Sequence, residues 1–108
     1  MAFTIEWSEN ASALLKEITE YYLETAGQRT AARILDAITR RVEILATQPT
    51  FGQREPSLEG LPVECRRLLE GRYKIIYFID GDKVVIPTVF DTRQDPTMLR
   101  VSALRGLN

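Results

Sequence analysis

The chain has 108 residues, 44% hydrophobic and 27% charged, a composition that excludes intrinsic disorder and is sufficient for one folded domain. It contains one cysteine and no histidine, which excludes an intrachain disulfide, a catalytic histidine and a zinc site of the usual kind. The formal net charge of −1 gives no global argument for nucleic-acid binding.

The N-terminal half predicts a strand followed by two helices. Alternating apolar and polar side chains predict a strand over residues 2–7. Ser8 follows as an N-cap, and apolar residues at helical spacing predict a first helix that ends at Gly27. A second apolar stripe predicts a helix over residues 28–46, which Pro49 prevents from continuing. Because the joint is short, the two helices are expected to form an antiparallel hairpin.

The C-terminal half predicts strands. Glycines and prolines mark a loop over residues 50–61. Three strands are expected after it, over residues 63–69, 72–80 and 83–91. Asp80-Gly81 suits the tight turn between the last two. Pro87 lies inside the last strand, and its nitrogen, which carries no hydrogen, is expected to face an open side or a bulge.

The strand over residues 72–80 is apolar on both faces, a pattern typical of a strand buried on both. Tyr73 and Tyr77 are expected in the core on one face, and Ile76 on the other. Lys74 breaks the pattern, because it lies on the Ile76 face at the start of the strand. A cation there lies either at the rim of the sheet or at a ligand site.

The tail predicts one more helix. Asp95 as N-cap and Pro96 at the first helical position predict a short helix through Met98, Leu99 and Val101. These apolar residues either complete the core or form a surface that a partner covers. The predicted fold is α+β, with the order β-α-α-β-β-β and the helical hairpin packed on a small, mostly antiparallel sheet.

Several segments of the chain together form a recognisable pattern. They are WS at 7–8, QPTFG at 48–52, RRLLEGRYKIIY at 66–77 and VFDTRQDP at 89–96. With the helix pair between them, they resemble the RelE/ParE superfamily, the toxins of bacterial type II toxin–antitoxin pairs, over nearly the whole chain. The long helix pair is closer to the ParE-like branch. The resemblance implies a single toxin domain over residues 1–108 and a cognate antitoxin that joins it in a hetero-oligomer.

The branch determines the expected activity. ParE-like members are described as inhibitors of DNA gyrase that act by binding, so this resemblance implies a gyrase-directed toxin that is not an enzyme. RelE-like members are described as ribosome-dependent ribonucleases that cleave messenger RNA, and this is the alternative. A third possibility is an inactive module that keeps only the antitoxin contact.

The ribonuclease pattern, laid on this chain, gives the catalytic candidates Arg67, Lys74 and Arg93, whose charges would stabilise a phosphorane. Cys65 stands where that pattern has a further lysine, and Leu99 stands near its C-terminal tyrosine. The candidates for target or antitoxin binding are Arg67, Lys74, Arg93, Met98, Leu99 and Val101. The cations alternatively are rim charges paired with Glu64, Glu70 or Asp91.

The sequence also predicts the setting in which the protein acts. No apolar run approaches the roughly 20 residues of a membrane span. The first residues have neither the basic nor the long apolar part of a signal peptide. We therefore expect a cytoplasmic protein that has no membrane association and needs no cofactor or metal.

Overall fold

The computed structural model describes residues 2–108, in which three α-helices pack on a five-stranded sheet. The strands are β1 (Thr4–Trp7), β2 (Gln53–Arg54), β3 (Arg66–Glu70), β4 (Tyr73–Asp80) and β5 (Lys83–Asp91). The α-helices are α1 (Glu9–Ala26), α2 (Gln28–Val42) and α3 (Met98–Gly106). Short 3-10 helices occupy Glu43–Ala46 and Pro56–Leu58. No helix in the described range is long and apolar enough to cross a bilayer.

The sheet has the strand order β1-β5-β4-β3-β2. Only the β1–β5 pair is parallel, and the three other pairs are antiparallel. The predicted α+β class, with a helical hairpin on a mostly antiparallel sheet, is therefore confirmed.

The core lies on both faces of the sheet. On one face α1 and α2 cover a cluster that includes Ile38, Tyr77 and Ile86, all fully buried. On the other face α3 and the segment before β3 cover Ile76 and Phe90. The prediction that the 72–80 strand is buried on both faces is confirmed, because consecutive residues of β4 belong to opposite clusters.

The ends of the hairpin helices follow the predicted capping chemistry. The Ser8 side chain accepts a hydrogen bond from the Ala11 amide at 3.0 Å, which fixes the start of α1. Gly27 ends α1 with a φ of 88°, a left-handed conformation that favours glycine. The prediction that α2 reaches residue 46 is wrong at its end, because the last turn tightens into the 3-10 helix. The Ala46 carbonyl then accepts the Phe3 amide beside β1 at 2.7 Å.

A bulge, one of the two environments expected for Pro87, is present. Ile76 pairs with Thr88 and Phe78 with Val85, so β5 has one residue more than β4 over this interval, and Pro87 lies within it. The Pro87 carbonyl accepts hydrogen bonds from Ser8 Oγ and Asn10 Nδ2, at 2.9 and 3.0 Å. The bulge therefore connects the middle of the sheet to the beginning of α1.

Two predicted boundaries in the C-terminal half are wrong. The strand expected from residue 63 begins at Arg66, and the expected loop before it contains β2, which pairs with only two residues of β3. The last helix begins at Met98, two residues later than predicted. Asp95 still caps the turn before it, because its carboxylate accepts the Thr97 amide at 3.0 Å and its carbonyl accepts the Met98 amide at 2.9 Å.

Candidate functional site

Two of the three predicted cations meet on one buried carboxylate. Arg67 projects from β3 and Lys74 from β4, and both reach Glu55 Oε1, at 3.3 Å from Arg67 Nη1 and 2.9 Å from Lys74 Nζ. The Glu55 side chain is 4% exposed, whereas those of Arg67 and Lys74 are 24% and 27% exposed. The alternative that these two cations pair with Glu64 or Glu70 is wrong, because the segment after β2 places Glu55 between them.

Both carboxylate oxygens of Glu55 have polar partners. Its Oε2 accepts hydrogen bonds from the Ser57 hydroxyl at 2.6 Å and the Ser57 amide at 3.3 Å. Its own amide donates to the Cys65 carbonyl at 3.0 Å. Burial alone would raise the pKa of Glu55, but the hydrogen bonds from Ser57 and Lys74 outweigh burial, so the pKa is lowered. Glu55 is therefore ionised at neutral pH.

A cavity of about 230 Å³ lies beside this group. Its lining includes Glu55, Ser57, Lys74, Phe90, Thr92 and Gln94. The cavity combines an apolar wall with hydroxyl and amide groups, and Lys74 contributes the positive charge.

Arg93 belongs to a different part of the surface. Its guanidinium is held by Asp91, with Nη2 2.8 Å from Asp91 Oδ2 and Nε 3.2 Å from Asp91 Oδ1. These hydrogen bonds lower the pKa of Asp91. Arg93 lines a second cavity of about 180 Å³ with Tyr21 and Tyr73, on the side of the helical hairpin. The alternative that Arg93 is a rim charge paired with Asp91 matches this geometry.

The three apolar candidates of the tail lie in two different environments. Leu99 is 3% exposed and packs in the core beneath α3. Met98 and Val101 are 43% and 40% exposed, and Leu104, also exposed, continues their row along the outer side of α3. Of the three predicted residues, Leu99 therefore completes the core, whereas Met98 and Val101 are available to a partner.

Glu55 is the site residue that the sequence reasoning missed. It lies in a segment with no strand or helix period, so no pattern distinguished it from the other surface acids. Cys65 is buried beside this segment, and burial raises the pKa of its thiol, which makes it a poor nucleophile. Within residues 2–108, no three cysteine, aspartate or glutamate side chains are grouped to hold a metal ion.

The geometry limits the chemistry of this surface. Arg67 and Lys74 both contact one shared carboxylate, which balances only one of their two charges, and Arg93 is paired with another carboxylate next to a different cavity. Catalysis of RNA cleavage by charge requires cations aimed at the position where the phosphorane develops. Arg67, Lys74 and Arg93 do not form such a group in this conformation.

Comparisons with known proteins agree with this fold. A sequence-family profile described as the ParE toxin of the type II toxin–antitoxin system parDE matches residues 5–96. No curated protein matches the sequence of this chain. A chain of the chromosomal ParDE system from P. aeruginosa has a TM-score of 0.70 and 22% identity, over 83% of this chain and 96% of that chain.

A second solved structure has the same fold at lower identity. It is the free E. coli toxin RelE with two arginines replaced by alanine, with a TM-score of 0.60 and 12% identity over 99% of this chain and 96% of that chain. At these identities the structures establish the fold alone, and the family profile carries the assignment. The predicted ParE-like membership is confirmed: this chain belongs to the ParE toxin family of type II toxin–antitoxin systems.

Proposed function

We propose that this toxin inhibits DNA gyrase by binding to it in the cytoplasm and that its cognate antitoxin neutralises it. The family assignment makes the chain the toxin component of a type II pair and supports an antitoxin partner. The choice of gyrase over messenger RNA rests on the site.

The observation that carries this choice is the shared carboxylate of Glu55. A ribonuclease without histidine depends on unpaired cations around the scissile phosphate, but Arg67 and Lys74 each contact Glu55 Oε1 within 3.3 Å. Arg93 lies on Asp91 beside a separate cavity. Leu99, near the position of the tyrosine in the ribonuclease pattern, is a buried aliphatic residue. These features support action by binding.

For the binding surface we propose the outer side of α3. Met98 and Val101 are exposed apolar residues, and exposed apolar groups on a small protein commonly mark an interaction surface. Leu99 is buried between α3 and the sheet and anchors this helix there. Arg93, with 57% of its side chain exposed, supplies a charge on a separate part of the surface, beside α1. Arg67 and Lys74 contribute their solvent-exposed edges.

The proposal is tested by inducing the chain alone in bacteria and following growth, DNA damage and messenger RNA together. We expect growth arrest with a DNA-damage response and intact messenger RNA, and relief of the arrest when the antitoxin gene is induced as well. Arrest with cleaved messenger RNA and no DNA damage would favour the ribonuclease alternative. Normal growth with folded, abundant protein would identify an inactive member.

The α3 surface has its own matched test. The double variant Met98→Ser/Val101→Ser removes two exposed apolar side chains, and Leu23→Ser, at an equally exposed position on α1, serves as the control. We expect the double variant to bind the antitoxin at least about tenfold more weakly in a calorimetric titration, because buried apolar contacts dominate such interfaces. Equal affinities for the double variant and the control would remove α3 from the binding surface.

A further inference from the structure

Asn10 connects the beginning of α1 to both α3 and the sheet. It is the second residue of α1, directly after Glu9, and it is half-buried. Its Nδ2 donates to the Pro87 carbonyl at 3.0 Å and to the Ser102 carbonyl at 3.1 Å. Because a carbonyl oxygen can only accept, the atom between these two partners is the amide nitrogen, which has two hydrogens to donate. One side chain therefore bridges α1, β5 and α3.

Ser102 of α3 has a second polar contact with the sheet. Its hydroxyl oxygen lies 2.6 Å from that of Thr88, a fully buried residue of β5 next to the bulge. Hydrogen bonds depend on direction, whereas the apolar contacts of Leu99 and Ala103 beneath α3 do not. The polar contacts of Ser102 therefore fix how α3 is rotated about its axis and where it lies along the sheet.

The helix α3 needs such contacts because it is short. It has nine residues, and isolated helices shorter than roughly 12–15 residues are marginal in water. Successive residues of a helix differ by about 100° around its axis. A rotation of α3 by one residue would therefore turn Met98 and Val101 away from their present exposed positions. The exposed apolar row depends on the contacts that hold the inner side of the helix.

We propose that Asn10 is the positioning residue of the α3 surface, and that its amide fixes the orientation in which α3 presents Met98 and Val101 to a partner. This inference rests on the proposed binding role of α3 and adds a residue that acts on that surface through the helix. The Pro87 carbonyl also accepts the Ser8 hydroxyl at 2.9 Å, so the start of α1 already holds the bulge. The bulge is a fixed point, and Asn10 connects α3 to it.

The first test is Asn10→Asp, which keeps the shape of the side chain and replaces its amide by a carboxylate. The carboxylate cannot donate to the two carbonyl oxygens and repels them. Hydrogen–deuterium exchange is measured for the backbone amides of α3 and of β4. We expect exchange in α3 to become at least about tenfold faster than in the wild type, and exchange in β4 to change by less than about twofold. Unchanged exchange in α3, or equal acceleration in both elements, overturns the proposal.

The matched control is Gln28→Glu. Gln28 is the exposed first residue of α2, so this variant also replaces an amide by a carboxylate in the first turn of a helix. The helix dipole favours a negative charge at both positions, so neither change should weaken the helix that carries it. We expect Gln28→Glu to leave exchange in α3 unchanged, and acceleration as large as in Asn10→Asp would contradict the proposal. If Asn10→Asp does not fold, Asn10→Ala removes the same hydrogen bonds without adding a charge.

A double-variant cycle tests whether Asn10 acts through the α3 surface. The cognate antitoxin is titrated calorimetrically into Asn10→Asp, into Met98→Ser/Val101→Ser and into the combined variant. We expect Asn10→Asp to weaken binding by at least about threefold when Met98 and Val101 are present, because only molecules with α3 in place bind fully. The loss should be less than about 1.5-fold when both are replaced, since the two changes then affect the same contacts.

Two outcomes of the cycle overturn the proposal, namely no loss of affinity in Asn10→Asp or the same loss in both backgrounds. A different outcome refutes the binding role of α3 itself. If Met98→Ser/Val101→Ser binds the antitoxin as the wild type does, α3 is not the binding surface, and the exchange measurement alone decides whether Asn10 positions the helix.

Discussion

At the scale of single residues, Glu55 illustrates how a side chain acquires its role from partners that are distant in the sequence. Lys74 and Arg67 lie 19 and 12 residues away from it along the chain, and only the pairing of β3 with β4 brings them to the same carboxylate. A buried carboxylate is stable only when it is paired and hydrogen-bonded, and both conditions are met here.

The ionisation of Glu55 gives a prediction for pH dependence. The pKa of Glu55 in the folded state is lowered, so its contribution to stability is complete above the unfolded-state pKa of about 4.3 and is lost as pH falls through the folded-state pKa. Urea unfolding of the wild type should therefore lose more free energy between about pH 5 and pH 3 than unfolding of Glu55→Gln. Glu64→Gln should follow the wild type, and identical profiles for all three proteins would refute this role of Glu55.

Tyr77 gives a second prediction at this scale. Its hydroxyl is buried and accepts the Gly52 amide at 2.8 Å, so Tyr77→Phe leaves a buried donor without a partner. We expect a loss of about 1–3 kcal/mol in the free energy of unfolding, measured by urea denaturation. Tyr21→Phe removes the same atom from an exposed residue and should be nearly neutral. An equally small loss for both variants would contradict the prediction.

At the scale of elements, hydrophobic periodicity predicted the helices and strands whose buried residues recur at a regular spacing. The hairpin helices and β4 each present apolar residues at the spacing of their own structure, and their positions were correct to within a few residues. The missing amide hydrogen of Pro87 indicated either an open side or a bulge at this position, and the structure has the bulge.

The elements that were missed depend on tertiary contacts. β2 has two residues, too few for any period, and exists because Gln53 and Arg54 pair with β3. Val63 is apolar, and for this reason the sequence placed it in a strand. In the structure that strand begins only at Arg66, and Val63 lies in an irregular segment that packs into the core on the α3 side of the sheet. Glu55 lies between these two segments, which explains why its contacts with Arg67 and Lys74 were not predicted.

The anchoring of α3 gives a prediction at this scale. A Cβ on Gly106 would overlap the Pro87 carbonyl group, which is backbone and cannot move aside as a flexible side chain would. Gly106→Ala improves helix propensity by about 1 kcal/mol, but the overlap should cost more, so we expect net destabilisation of about 1–3 kcal/mol in urea unfolding.

The control for α3 is Arg105→Ala, at the preceding exposed position, which should change the free energy of unfolding by no more than about 0.5 kcal/mol. A Gly106→Ala variant as stable as the wild type would show that α3 is free to shift along β5. The proposed binding surface of Met98 and Val101 would then not be held rigidly.

At the scale of the whole molecule, the fold does not by itself determine the function. The same architecture is present in the P. aeruginosa ParDE chain and in E. coli RelE, at 22% and 12% identity, so the fold alone does not select a target. A formal charge of −1 also gives no general attraction to nucleic acid, which depends strongly on cationic contacts with phosphates. The molecular target of the toxin therefore has to be inferred from the side chains at its surface.

The account is tested most directly by adding the purified toxin to purified DNA gyrase and relaxed plasmid, and measuring the rate of supercoiling as toxin concentration increases. A matched sample incubated first with the antitoxin serves as the control. The account predicts that the toxin alone inhibits supercoiling in a dose-dependent manner and that the antitoxin restores it. Unchanged supercoiling at every concentration, with a toxin that still arrests growth in cells, would contradict gyrase as the target.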